Sequence, residues 1–157
     1  DTQDLCDAAG MGCYEISNHA RPGAESRHNL VYWRQGDWAA VGPGAHGRLT
    51  LPSGRVATEA HRMPGAWLQA VESAGTGEIP RDMVPAAEQA TEYLLMSLRL
   101  TEGLDEARYA GISGQGLDED ALKSLIDLEM IKRSEGRIWA TAQGRPVLNA
   151  ILRELAA

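Results

Sequence analysis

Two short stretches of this chain, and a scatter of histidines, cysteines and arginines around them, carry the residue types that do chemistry. The first stretch is His28-Asn29-Leu30-Val31-Tyr32-Trp33. On a helix, His28 and Tyr32 lie four apart on one side, and Asn29 and Trp33 on the next. A neutral imidazole is a good axial ligand for haem iron, and flat aromatic rings pack on a porphyrin face. The competing reading is that His28 caps a helix while Tyr32 and Trp33 fill core. The second stretch, Gly42-Pro43-Gly44-Ala45-His46-Gly47, is formally G-x-G-x-x-G. A dinucleotide fingerprint needs a helix directly afterwards, so that its N-terminus faces the pyrophosphate. Here Pro52 and Gly54 mark a hairpin instead, and that reading is rejected. What remains is either a tight structural turn or a strand end where missing side chains let backbone approach a ligand.

The other reactive types form no pattern. His19, His28, His46 and His61 are not spaced as ligand pairs, and Cys6 and Cys13 read as ordinary reduced thiols. A metal site built from this chain alone is not expected. No G-x-S-x-G or other nucleophile signature occurs, so no catalytic residue is assigned. Arg21, Arg27, Arg34 and Arg48 fall near the same loops. They are either grips for substrate carboxylates or solvated surface cations.

The elements that must position these residues change character along the chain. Residues 2–9 read as a helix stopped by Gly10, followed by a short strand at 13–16 and a polar stretch at 17–27. A short helix at 29–35 and a buried strand at 38–41 lead into the glycine-rich stretch. A hairpin follows, 48–51 and 55–58 about Pro52-Ser53-Gly54, and then a helix opened by Pro64 and closed by Gly75. This alternation suggests the last α/β units of a barrel or open sheet, with strand edges free to self-associate. Beyond residue 80 the pattern is helical. Pro85 opens a helix with Ala90, Tyr93, Leu94 and Leu98 on one face, ended by Gly103. Asp118 is an N-cap, with Leu117 and Leu122 as a staple across it and Leu125, Ile126 and Leu128 turned inward. Met130-Ile131 and Ile138-Trp139-Ala140 flank a turn at Glu135-Gly136. Thr141 is expected to cap a last helix with Val147, Leu148, Ile151, Leu152 and Leu155 as its apolar stripe. The reading is an α+β chain of two parts, barrel units at 1–80 and a helical, winged-helix-like domain at 81–157.

Composition limits the partners. Fifteen basic against 22 acidic residues leave a net charge of −7, which disfavours general binding to nucleic acid. No apolar run approaches the roughly 20 residues of a membrane span, and nothing resembles a signal peptide. A cytoplasmic protein is expected. The chain opens inside a helix without an initiator Met, which suggests a piece of a longer polypeptide.

Several segments occur in the order found in one family. They are Tyr14-Glu15-Ile16-Ser17-Asn18, Ala20-Arg21-Pro22-Gly23, His28-Asn29 with Tyr32-Trp33, Gly36-Asp37, Val41 to Gly47, Thr58-Glu59 and His61-Arg62. Together they resemble the radical-SAM family of haem chaperones and oxygen-independent coproporphyrinogen III oxidase-like proteins. His19 departs from the pattern, where relatives tend to carry an aromatic residue. The resemblance implies the C-terminal part of a radical-SAM partial TIM barrel followed by the helical domain. It implies haem binding at His28, Tyr32 and Trp33, and a cofactor pocket near Gly42, Gly44 and Ala45. A 4Fe-4S cluster and S-adenosylmethionine belong, by the same resemblance, to the full-length protein, on cysteines upstream of this chain. The implied function is haem delivery to haem-accepting proteins. The alternative is oxidative decarboxylation of coproporphyrinogen III propionates in porphyrin biosynthesis. A winged helix contacting DNA is a third reading, opposed by the five acids of 118–129 against the single cation Lys123.

Overall fold

Capping and turn chemistry set most of the boundaries in the computed structural model, which describes residues 2–156. Helix α1 (Thr2–Ala8) ends before Gly10, whose φ of 70° a side chain would resist. Strands β1 (Gly12–Cys13) and β2 (His19–Ala20) form a minimal antiparallel ladder. Helix α2 (Arg27–Trp33) starts from Ser26, whose Oγ accepts a hydrogen bond from the Asn29 N–H at 3.3 Å. Strands β3 (His46–Leu51) and β4 (Gly54–Glu59) make the expected hairpin. Helix α3 (Pro64–Ala74) opens on proline and closes on left-handed Gly75, as its sequence predicts. Strand β5 (Asp82–Met83) adds to β4. The second half runs α4 (Ala86–Ser97), β6 (Leu104–Asp105), α5 (Glu106–Ser113), α6 (Glu119–Asp127), β7 (Ile131–Ser134) and β8 (Arg137–Ala140). A 3₁₀ turn (Arg145–Val147) and α7 (Leu148–Leu155) complete it.

The chain is α+β, and every strand ladder among the described residues is antiparallel. Two compact units emerge: Asp1–Gln35 with Ala86–Ala157, and Gly36–Pro85. Packing therefore cuts the chain differently from the division at residue 80 drawn from sequence.

In the larger unit the core comes from the second half. Tyr93, Leu94 and Leu98 of α4 and its end, Leu122 and Leu125 of α6, and Ile151, Leu152 and Leu155 of α7 enclose Ile131 and Ile138 of the wing. The order α4–β6–α5–α6–β7–β8, with a β6-β8-β7 sheet, is a winged-helix arrangement. Strand β6 and helix α5 carry little apolar periodicity and were not expected. Ile126, Leu128 and Val147 were expected inside, yet are 37%, 59% and 46% exposed. Leu128 follows the end of α6, and Val147 lies in the 3₁₀ turn before α7. Thr141 does not cap α7. Its Oγ1 accepts the Gly144 N–H at 2.9 Å and donates to the Glu129 carbonyl at 2.7 Å, fixing the turn that follows the wing.

The smaller unit holds the sheet β3-β4-β5 and α3. The buried strand expected at 38–41 is absent. Trp38 exchanges hydrogen bonds of 2.8 and 3.0 Å with Arg48 as an isolated bridge, and Val41 is 92% exposed. Gly42, at φ 110°, turns the backbone out of extension immediately afterwards. Arg55 is buried and donates to Asp37 at 2.9 Å and to the Gly36 carbonyl at 2.9 Å. Burial raises the Asp37 carboxyl's pKa, but Thr50 N–H, Thr50 hydroxyl and Arg55 outweigh it, and the net pKa is lowered.

Two glycines give opposite expectations. A Cβ at Gly144 would lie 1.9 Å from the Met130 carbonyl oxygen, whereas one at Gly111, inside α5, meets nothing within 4 Å. Thermal melts should therefore show Gly144→Ala destabilised by about 1–3 kcal/mol and Gly111→Ala stabilised by about 0.5–1 kcal/mol. The lowered Asp37 pKa stabilises the folded state above the usual aspartate range. That contribution disappears as pH falls through the lowered value, below about pH 4. Urea titrations should show Asp37→Asn costing about 1–3 kcal/mol at pH 7, because Arg55 loses its counter-charge, with the gap closing in acid.

Candidate functional site

Helix α2 displays its side chains in two directions. His28 is exposed, and its ring stands edge-on to Tyr32, with centroids 4.8 Å apart and planes at 88°. Ser26 takes the capping role, so His28 is not the cap. Neither ring nitrogen of His28 has a hydrogen-bond partner among the described residues. Such an imidazole is free to ligate a metal presented from solvent, with an aromatic ring beside it. Trp33 goes elsewhere. It lies under the Arg99 guanidinium, 5.4 Å from the ring centroid, and lines a pocket of about 340 Å³ with Tyr93 and Arg108. Its Nε1 is buried without a hydrogen-bond partner among the described residues. The structure thus joins His28 to Tyr32 and separates Trp33 from them.

The end of α2 is fixed by long-range polar contacts. Arg34 grips Glu102 through two bonds of 2.8 and 2.7 Å. That hydrogen bond lowers the Glu102 carboxyl's pKa against the opposing effect of burial, and the same pair raises Arg34. Gln35 adopts φ 51° with its side chain buried, donating to the Gln89 carbonyl at 2.6 Å. Arg108 donates to the Arg34 carbonyl at 2.8 Å and the Gln35 carbonyl at 3.4 Å. Its guanidinium also covers the Tyr93 ring at 4.4 Å. Arg34 is therefore committed internally and is not a free grip for substrate. Glu102 and Arg108 carried no local signal, because their partners are 68 and 74 residues away.

The Tyr14–Asn18 segment contributes a buried carboxylate that sequence reading left without a role. Glu15 is 0% exposed. Its Oε1 accepts the Ser17 N–H at 3.1 Å and the Asn18 amide, while Oε2 has no partner among the described residues. An orphan carboxylate oxygen is expensive to bury and marks a constrained position.

The glycine-rich stretch lies in the smaller unit. Gly42 and Ala45 line a hollow of about 340 Å³ with Ala60, Trp67 and Val71. Gly77 admits the Trp67 ring against the backbone, where a Cβ would come within 2.3 Å of it. Gly44 is outside that lining, and its N–H is bound to the His61 carbonyl at 2.9 Å. The Ala45 N–H is likewise used, by the Gly42 carbonyl at 3.2 Å. Close approach here is therefore to the surface of Gly42 and Ala45, not to a nest of free amides. Among the described residues, no three His, Cys, Asp or Glu side chains gather as a metal-binding group.

Residues 84–147 match the family model of the HemN C-terminal domain. The heme chaperone HemW of Escherichia coli (strain K12) is 37% identical over 124 residues, covering 78% of this chain and 31% of that protein. HemW of Bacillus subtilis (strain 168) is 33% identical over 156 residues, covering 95% and 40%. The mitochondrial radical S-adenosyl methionine domain-containing protein 1 of Bos taurus is 41% identical over a 159-residue alignment, covering 94% and 36%. Among solved structures, the radical SAM enzyme coproporphyrinogen III oxidase (HemN) from Escherichia coli matches with a TM-score of 0.69 at 17% identity. That match covers 99% of this chain and 39% of that one, and it shows the fold. The chain spans about a third of the length of the curated relatives it matches.

The Arg108 contacts define a test of how α2 is held. Arg108→Ala should lower stability by about 1–2 kcal/mol in urea titrations, from the lost hydrogen bonds and ring contact. It should also accelerate amide hydrogen exchange across α2 more than across α7. Equal acceleration of both helices would mean that Arg108 does not anchor α2 specifically.

Proposed function

We propose that this chain, which belongs to the family of HemW heme chaperones and HemN proteins, is part of a haem chaperone that binds haem and delivers it to haem-accepting proteins. One observation supports a haem site within the chain: His28 offers an exposed imidazole, both nitrogens unengaged among the described residues, with Tyr32 beside it. In this reading haem is cargo. His28 supplies an axial nitrogen, Tyr32 packs along the porphyrin edge, and Trp33 holds the helix from behind. An exposed, single-sided site suits a carrier, since a buried one would slow release to the acceptor.

An iron–sulfur cluster does not fit the residues of this chain. It has two cysteines, Cys6 and Cys13, and among the described residues no metal-binding group. In the reading proposed here, the 4Fe-4S cluster and S-adenosylmethionine of the family bind residues outside the chain. The hollow at Gly42 and Ala45 borders the S-adenosylmethionine pocket, with Gly44 shaping the turn. No described helix is long and apolar enough to cross a membrane, and the proposed setting is cytoplasmic. Exposed Val41, Met63 and Met83 in the smaller unit favour self-association of the isolated chain.

The likeness to the HemN structure favours a second reading, oxygen-independent coproporphyrinogen III oxidase activity, in which propionate side chains are oxidatively decarboxylated. Two measurements separate these. Haem titration followed by visible absorption should show His28→Ala losing the bands of the ligated iron, with affinity falling about tenfold or more. Unchanged spectra and affinity would remove His28 as ligand. Turnover of coproporphyrinogen III to protoporphyrinogen, with reductant and S-adenosylmethionine, would put the oxidase reading first.

A further inference from the structure

We propose a second anionic-ligand site, on the outer face of the wing, for a planar apolar molecule that carries carboxylates. It depends on the tetrapyrrole reading above only for the choice of probe. A pocket of about 800 Å³ opens beside β8, within the range of small-molecule sites. Its apolar surface includes Ile16, Ala142 and Pro146, and Trp139 forms part of its wall. Two cations, Lys132 and Arg145, complete it, and no carboxylate is among its lining residues.

Each feature follows from the local structure. In the β7–β8 ladder Lys132 pairs with Trp139, while the neighbouring pair, Arg133 and Ile138, points to the other face. Ile138 is fully buried, so Lys132 and Trp139 stand together on the outer face. Arg145 is placed by the turn after the wing. Its N–H binds the Thr141 carbonyl at 2.9 Å, and Gly144 allows that turn to press on the Met130 carbonyl.

Not every cation of this chain has a carboxylate partner among the described residues: Arg99 and Arg108 lie over aromatic rings, and Arg108 and Arg153 donate to carbonyls instead. With a net charge of −7, most of the arginines near acids are paired: Arg34 with Glu102, Arg55 with Asp37, Arg81 with Glu78, and Arg133 with Glu106 and Glu119. Among the described residues Lys132 and Arg145 pair with no carboxylate, and the Arg145 guanidinium donates only to the Cys13 sulfur, at 3.0 Å. Two cations left unneutralised around an apolar, aromatic-walled pocket select a ligand with a flat greasy body and anionic arms. A bare inorganic anion would leave the Trp139 face unused, and an uncharged aromatic would leave both cations unused.

Metal-free protoporphyrin IX tests this, because it has the propionates and the flat ring but no iron for His28. Titration of the protein as isolated, read by tryptophan fluorescence and porphyrin absorption, should show saturable binding. The double substitution Lys132→Gln with Arg145→Gln should weaken it about tenfold or more, while Lys132→Arg with Arg145→Lys retains it. Circular dichroism guards against misfolding. The iron-free probe offers His28 no metal to ligate, so failure here and failure of the haem-ligand reading are separable. The proposal is overturned if protoporphyrin dimethyl ester binds as tightly as the free acid, or if the double glutamine variant binds normally. It is also overturned if ATP displaces the porphyrin at equal concentration, which would make the pocket a general anion site.

Discussion

The first 35 residues of this chain have no apolar core of their own, and the placement of α2 depends on how they are attached to the helical unit. Helices α1 and α2 contain no fully buried residue. The two buried residues among those described before position 36 are both polar, Glu15 and Gln35. Attachment runs through directed bonds: Gln35 to Gln89, Arg108 to two carbonyls at the end of α2, Arg34 to Glu102, and Thr101 to the Tyr14 carbonyl. Each is worth about 1 kcal/mol net, and those to charged groups about 1.5–3. The exposed Arg34–Glu102 pair falls at the lower end because water screens it. Apolar contacts would hold α2 near the core without fixing its rotation. Hydrogen bonds of fixed geometry set which side chains face out, and so present His28 to solvent while Trp33 turns inward.

What could be read from sequence was what is decided locally. The β3–β4 hairpin, the Pro64 helix, the Asp118 cap and the wing each depend on a turn residue or a cap within a few positions of the element. Those elements formed where the local signals placed them. The errors came where local pattern and packing diverge. Residues 38–41 have the apolar look of a buried strand, but Gly42 bends the chain before a ladder can form, and Val41 is left in water. Strand β6 is two residues long and exists because β8 offers Leu104 and Asp105 an edge at Ile138 and Arg137. At the candidate site, the pairing of His28 with Tyr32 was legible from helical spacing. The turning of Trp33 toward Arg99 and Tyr93 was not, since those partners lie more than fifty positions away in sequence.

The same distinction explains why a cut drawn at residue 80 and the compact units disagree. The pattern turns helical beyond residue 80, and sequence reading places the boundary there. Contacts instead gather the first 35 residues with the segment after Pro85. The bonds responsible connect residues that share no composition, only complementary donors and acceptors. The smaller unit, Gly36–Pro85, is a separate packing problem, solved by a three-stranded sheet and one helix around Val56, Ala60 and Val84.

Winged-helix geometry is often put to use on nucleic acid, so the distribution of charge within this one matters more than its outline. Helix α6 occupies the position of a recognition helix. It and its flanks carry Asp118, Glu119, Asp120, Asp127 and Glu129 against Lys123. Arg133 on the wing does not offset this, because Glu119 and Glu106 each hold it at 2.7 Å, which raises its pKa further and ties up its donors. A phosphate approaching α6 would meet exposed carboxylates first, with no free guanidinium to release counterions. Lys132 and Arg145, without carboxylate partners among the described residues, stand instead beside Trp139 and the turn after the wing. There they suit a single flat ligand with anionic arms and could not track a polyanionic strand. The fold is shared with nucleic-acid readers, but in this chain the arrangement of ion pairs has withdrawn positive charge from the face such readers use.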